Sequence, residues 1–119
     1  MSIIVQIFSV LVAAEFLFIM YLETFATASA KTAKVFGMSQ EDLKQKNLNT
    51  LFKNQGIYNG LLAVLVLLAV FAFASKTALI CLMAYMILVA AYGAFTSSPK
   101  IILTQGGLPI ITLILACIL

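Results

Sequence analysis

Residues 54–75, 77–99 and 101–119 carry no charge at all, and single lysines, Lys76 and Lys100, separate them. Each run approaches or exceeds the roughly 20 apolar residues that a helix needs to cross hydrocarbon. A fourth stretch, Ile3 to Leu22, comes first in the chain and is interrupted by one carboxylate, Glu15. Hydrophobic residues make up 64% of the 119, and charged ones only 9%. Mean hydropathy is +1.16, and a water-soluble core cannot hide that much apolar surface. The pattern predicts an all-α protein, a four-transmembrane-helix bundle forming a single integral membrane domain over residues 1–119. The spans fall at about 3–24, 55–74, 77–96 and 101–119, with a cytoplasmic loop at 25–53. No basic stretch precedes the first apolar run and the residues after it suit cleavage poorly, so it reads as a retained helix rather than a secretory signal.

Lysines set the orientation. Lys31, Lys34, Lys44, Lys46 and Lys53 lie in the first connection and Lys100 in the third, against Lys76 alone in the second. The positive-inside bias then places the first and third connections in the cytoplasm and both termini outside a cell (plasma) membrane. Loop lysines facing anionic membrane lipids account for the formal net charge of +3, so no nucleic-acid partner is expected. With no His and only two Cys, no usual zinc or haem ligand set can be assembled, and neither metal nor cofactor is expected. Cys81 and Cys117 read as free buried thiols packing as small apolar groups, although a bridge between them is geometrically conceivable.

Polar residues dominate only between Glu23 and Lys53. Ser39 is placed to cap a short amphipathic helix there, with Glu41 and Asp42 in its first turn. Phe36, Leu43, Leu48, Leu51 and Phe52 gather to one side, as in a helix lying along the cytoplasmic interface or packed loosely on the bundle. Gly56 and Gly60 form a G-x-x-x-G pair and Ala90 and Ala94 repeat the small-residue spacing, which allows close backbone approach within the monomer or across a dimer seam. Gly106, Gly107 and Pro109 crowd the start of the fourth stretch, as simple helix initiation or as a hinge.

The sharpest expectation concerns the inner half of the bundle. Glu23 ends the first span and Glu15 lies about 12 Å deeper, at 1.5 Å rise per residue. Asn54, Gln55, Tyr58 and Asn59 open the second span, with 54/58 and 55/59 as i, i+4 pairs. Tyr92 and Thr96 close the third, while Thr104 and Gln105 open the fourth. Amides and hydroxyls facing lipid lose hydrogen bonds at a cost of a few kcal/mol each, so these groups are expected to converge. Two outcomes fit. One is a clamp that fixes helix registry; the other is a ligand-binding cavity floored by Glu15, with Glu23, Asn54, Gln55, Tyr58, Asn59, Tyr92 and Gln105 around it.

The strings Met20-Tyr-Leu-Glu-Thr-Phe25, Asn54-Gln-Gly-Ile-Tyr-Asn-Gly-Leu-Leu-Ala63, Tyr92-Gly-Ala-Phe-Thr96 and Gln105-Gly-Gly-Leu-Pro109 together resemble the bacterial membrane family known as domain of unknown function 1304. The resemblance covers nearly the whole chain and implies a small four-helix membrane protein. Glu15 and Glu23 match its first-helix carboxylates, whereas Phe16 stands where many members carry a histidine, so no metal role is carried over. A second likeness, of architecture only, is to small multidrug resistance transporters, which have four spans and a glutamate in the first. The leading expectation is a non-enzymatic, homo-oligomeric protein that binds or moves a small amphiphilic or cationic molecule. The alternatives are a membrane enzyme using Glu15 and Glu23 as acid and base on a lipid-like substrate, with no catalytic residue otherwise assigned, or a structural assembly protein.

Overall fold

The apolar runs do form helices, and the interest lies in where they stop. The computed structural model describes all 119 residues and contains no strand. Its helices are α1 (Ile3–Met20), α2 (Ala30–Phe36), α3 (Gln40–Lys44), α4 (Lys46–Leu67), α5 (Lys76–Thr96), α6 (Ile101–Thr104) and α7 (Gly107–Ile118), with π-turns at Tyr21–Phe25 and Leu68–Ala72 extending α1 and α4. Three continuous helices, Ile3–Phe25, Lys46–Ala72 and Lys76–Thr96, are long and apolar enough to cross a membrane, which is compatible with a membrane protein. The chain divides into two compact units, residues 14–63 and residues 1–13 with 64–119.

In the 14–63 unit, short polar side chains punctuate the polar segment. Ser29 caps α2, its hydroxyl accepting from the Thr32 N–H at 3.2 Å. Gly37, at φ 65°, ends that helix in the left-handed conformation that glycine adopts without strain. The Met38 N–H reaches the Ala33 carbonyl at 2.9 Å, which completes a Schellman turn. Ser39 caps α3 as its spacing suggests, accepting from Asp42 N at 3.0 Å. That helix ends at Lys44, and Gln45 turns the chain with ψ 129°. The single interfacial helix expected here is therefore two short helices. Leu48, Leu51 and Phe52 belong instead to the first turns of α4, which begins at Lys46 and not near residue 55. An edge-to-face contact of Phe36 with Phe52, ring centroids 5.3 Å apart, ties α2 to α4.

The other unit is built on α5, whose buried positions Leu79, Met83, Met86 and Ala90 recur at helical spacing. Ser75 caps this helix, its hydroxyl accepting from Ala78 N at 3.1 Å. Gly106 lies so close to its neighbours that an added Cβ would stand 2.6 Å from the Ile102 carbonyl oxygen and 3.3 Å from Ala90 Cβ. The stretch 101–119, expected as one span, is split there into α6 and α7. The 12 residues of α7 cover about 18 Å, against a hydrocarbon core of about 30 Å. Cys81 and Cys117 are free and exposed rather than buried.

Candidate functional site

The polar groups of the 14–63 unit gather where α1 ends. Glu23 lies in the π-turn Tyr21–Phe25, an expanded helical turn of a kind frequent at functional sites. Its side chain is 1% exposed, and its Oε1 accepts from Asn59 Nδ2 of α4 at 2.6 Å. One turn toward the start of α4, Gly56 faces Thr24 and Glu23: a Cβ on Gly56 would overlap Thr24 Oγ1 and stand 3.0 Å from Thr24 N. Thr24 in turn donates to the Lys53 carbonyl at 2.9 Å. Gly60 packs on the Met20 side chain, where a Cβ would come within 3.1 Å of Cγ. The G-x-x-x-G pair thus serves packing within the chain, letting α4 approach the end of α1 until an amide reaches a carboxylate.

Two threonines that the sequence reading did not single out complete this corner. The Thr32 hydroxyl lies 2.7 Å from the Ala26 carbonyl and 3.2 Å from that of Leu22, fastening α2 to the π-turn that extends α1. Thr27 donates to the Glu23 carbonyl at 2.7 Å. Threonine in a polar loop carries no distinctive sequence signal. Both are buried, and each hydroxyl reaches a carbonyl of the π-turn, Thr27 that of Glu23 and Thr32 that of Leu22.

Glu15 differs from Glu23. It is half-buried, and its Oε1 is closed off from solvent with no hydrogen-bond partner. Such an atom forgoes water without compensation, which costs about 1–3 kcal/mol for a typical buried polar group. Of the remaining expected site residues, Asn59 meets Glu23, but Asn54, Gln55 and Tyr58 are exposed, Tyr58 by 72%. Tyr92, 71% exposed, and half-buried Gln105 belong to the other compact unit. No group of three or more His, Cys, Asp or Glu side chains forms a metal-binding set.

The family described as "Protein of unknown function (DUF1304)" matches residues 10–117. The chain belongs to that family. All eight candidate positions, from Glu15 to Gln105, fall inside the DUF1304 segment. The chain is similar to the uncharacterized protein YpaA of Lactococcus lactis subsp. lactis (strain IL1403), with 53% identity over 115 residues that cover 96% of this chain and 97% of the relative. No solved structure matches this DUF1304 chain.

Proposed function

We propose that this DUF1304 protein is an integral membrane protein in which Glu15 binds a small amphiphilic cation, or a proton in its place, while Glu23 and Asn59 hold the first and second spans together. The supporting observation is the contrast between two carboxyl groups on one apolar helix. Glu23 has its amide donor, and Glu15 Oε1 has none. A carboxyl group left unpaired in an apolar segment is costly to retain, and a cationic ligand or a proton supplies the missing partner. The proposal includes four crossings, the last made by α6 and α7 in succession. It places residues 25–53 in the cytoplasm and both termini outside, as the lysine distribution favours. Any homo-oligomer would form away from Gly56 and Gly60, whose faces are filled by Thr24 and Met20.

The test is proton release from detergent-purified protein in weakly buffered solution on addition of a lipophilic quaternary ammonium ion. Release by the wild type that is lost in Glu15→Gln and kept in Asn59→Ala fits the proposal; equal release from Glu15→Gln and wild type sinks it. Orientation is tested by a cysteine at Gln40 in a chain without Cys81 and Cys117. Labelling of intact cells by an impermeant maleimide would reverse the topology.

A further inference from the structure

The ammonium group of Lys31 lies 4.9 Å from the centre of the Phe18 ring. Phe18 is stacked on Tyr21 with ring centroids 6.5 Å apart, and the two rings are 44% and 53% exposed. The arrangement is held in place from behind. The next residue, Thr32, is fully buried and fastened to the Leu22 and Ala26 carbonyls, and Ser29 and Gly37 cap the two ends of α2. Lys34 and Val35 follow Lys31 by three and four positions, and both are exposed, so they share its side of α2. Exposed aromatic rings in the last turns of a span, beneath an anchored ammonium group, match the chemistry of the membrane–water boundary, where rings meet acyl chains and cations meet phosphates.

We propose that Phe18, Tyr21, Lys31 and Lys34 form a binding site for the headgroup of an anionic phospholipid. The ammonium groups of Lys31 and Lys34 would take the phosphodiester, the Tyr21 phenol would donate to it, and the Phe18 ring would support the first acyl carbons. Charge complementarity commits the site to this occupant. Five lysines against Glu41 and Asp42 between residues 24 and 53 give that segment an excess of positive charge, and the Lys31 ammonium meets the Phe18 ring face. The proposal rests on the membrane placement above but not on Glu15.

Native mass spectrometry of the full chain, released from micelles containing equal phosphatidylglycerol and phosphatidylcholine, tests it. One phosphatidylglycerol should be retained in preference to phosphatidylcholine. A lysine near an anionic surface contributes on the order of a fivefold gain in binding, so Lys31→Gln should lower the ratio of lipid-bound to lipid-free protein by about that factor. Lys31→Arg should restore it, and Glu15→Gln should leave it unchanged, so that failure here is distinct from failure of the Glu15 reading. Equal retention of the two lipids would overturn the site. So would an equal loss from Lys44→Gln, which would mean diffuse attraction alone, or displacement of the lipid by inorganic phosphate. Unchanged helical circular dichroism in Lys31→Gln is required for its loss to count, and Tyr21→Phe, expected to weaken retention without unfolding, provides an independent second variant.

Discussion

Replacing Gly56 by alanine should destabilise the protein far more than the same change at Gly60 or Gly107, because three different environments receive the new methyl group. At Gly56 the Cβ overlaps Thr24 Oγ1 and meets two less yielding atoms, Thr24 N at 3.0 Å and Glu23 Cβ at 3.1 Å. Accommodation displaces the Thr24 hydroxyl from the Lys53 carbonyl and forces α4 outward. Overpacking costs about 1–3 kcal/mol and the lost hydrogen bond about 1, while alanine returns about 1 through its better helix propensity, so the net loss is about 2 kcal/mol. At Gly60 the first atom met is Met20 Sδ, the movable part of a flexible side chain, and the net change should be under about 1 kcal/mol. At Gly107 nothing lies within 4 Å, so alanine should be neutral or slightly stabilising. Unfolding by sodium dodecyl sulfate in mixed micelles, followed by helical circular dichroism, gives the three values. The deciding measurement is the Gly56→Ala, Thr24→Ala double-mutant cycle. Removing the hydroxyl beforehand should relieve about 1 kcal/mol of the Gly56→Ala penalty. A penalty that is the same in both backgrounds, or a Gly56→Ala variant as stable as wild type, would refute the close approach at Thr24.

Asn59→Ala removes the side-chain donor to buried Glu23 and should cost about 1–3 kcal/mol in the same unfolding assay; a loss below about 0.5 kcal/mol would mean that the contact does not form. Cys81 and Cys117, free and exposed, should each take one N-ethylmaleimide in the native micelle without prior reduction. An unlabelled mass lighter by two hydrogens would instead reveal a bridge.

The helical class, the cap at Ser39 and the packing role of Gly56 and Gly60 were legible because each depends on local chemistry: apolar length, a hydroxyl before a turn, a missing side chain. Within the polar stripe of Asn54, Gln55, Tyr58 and Asn59, the structure brings only Asn59 to Glu23. At about 100° per residue, Tyr58 stands about 200° around the helix from Gly56, and Asn54 about 160°, so both point away from the face that the glycines bring against the end of α1. Asn59 flanks that face and meets Glu23. The glycine positions therefore held the information needed to choose among the polar ones. The π-turn at Tyr21–Phe25 carries no comparable signal in the order of residues. The break between α6 and α7 falls at Gly106, within the cluster read as a hinge or as simple helix initiation, but the tight space around that glycine shows only in the packed structure.

Glu15 and Glu23 share a residue type and an apolar helix, yet removing each should move stability in opposite directions. Methionine has nearly the length of glutamate and no need of a donor. Glu23→Met would strand the Asn59 amide beside an apolar chain and lose the bond at 2.6 Å, a change of about 1–3 kcal/mol against folding. Glu15→Met leaves no partner behind, because the Oε1 it removes had none. It deletes a buried unsatisfied group and should leave stability unchanged or raise it by about 1 kcal/mol. Packing alone then gives no reason for a carboxyl group at position 15, whereas the one at position 23 is part of how α4 is held. Stabilisation by Glu15→Met together with loss of cation-driven proton release would mark the position as one where stability yields to binding. Destabilisation by Glu15→Met as large as that by Glu23→Met would mean that both carboxyls serve the fold, and the binding role assigned to Glu15 would fall.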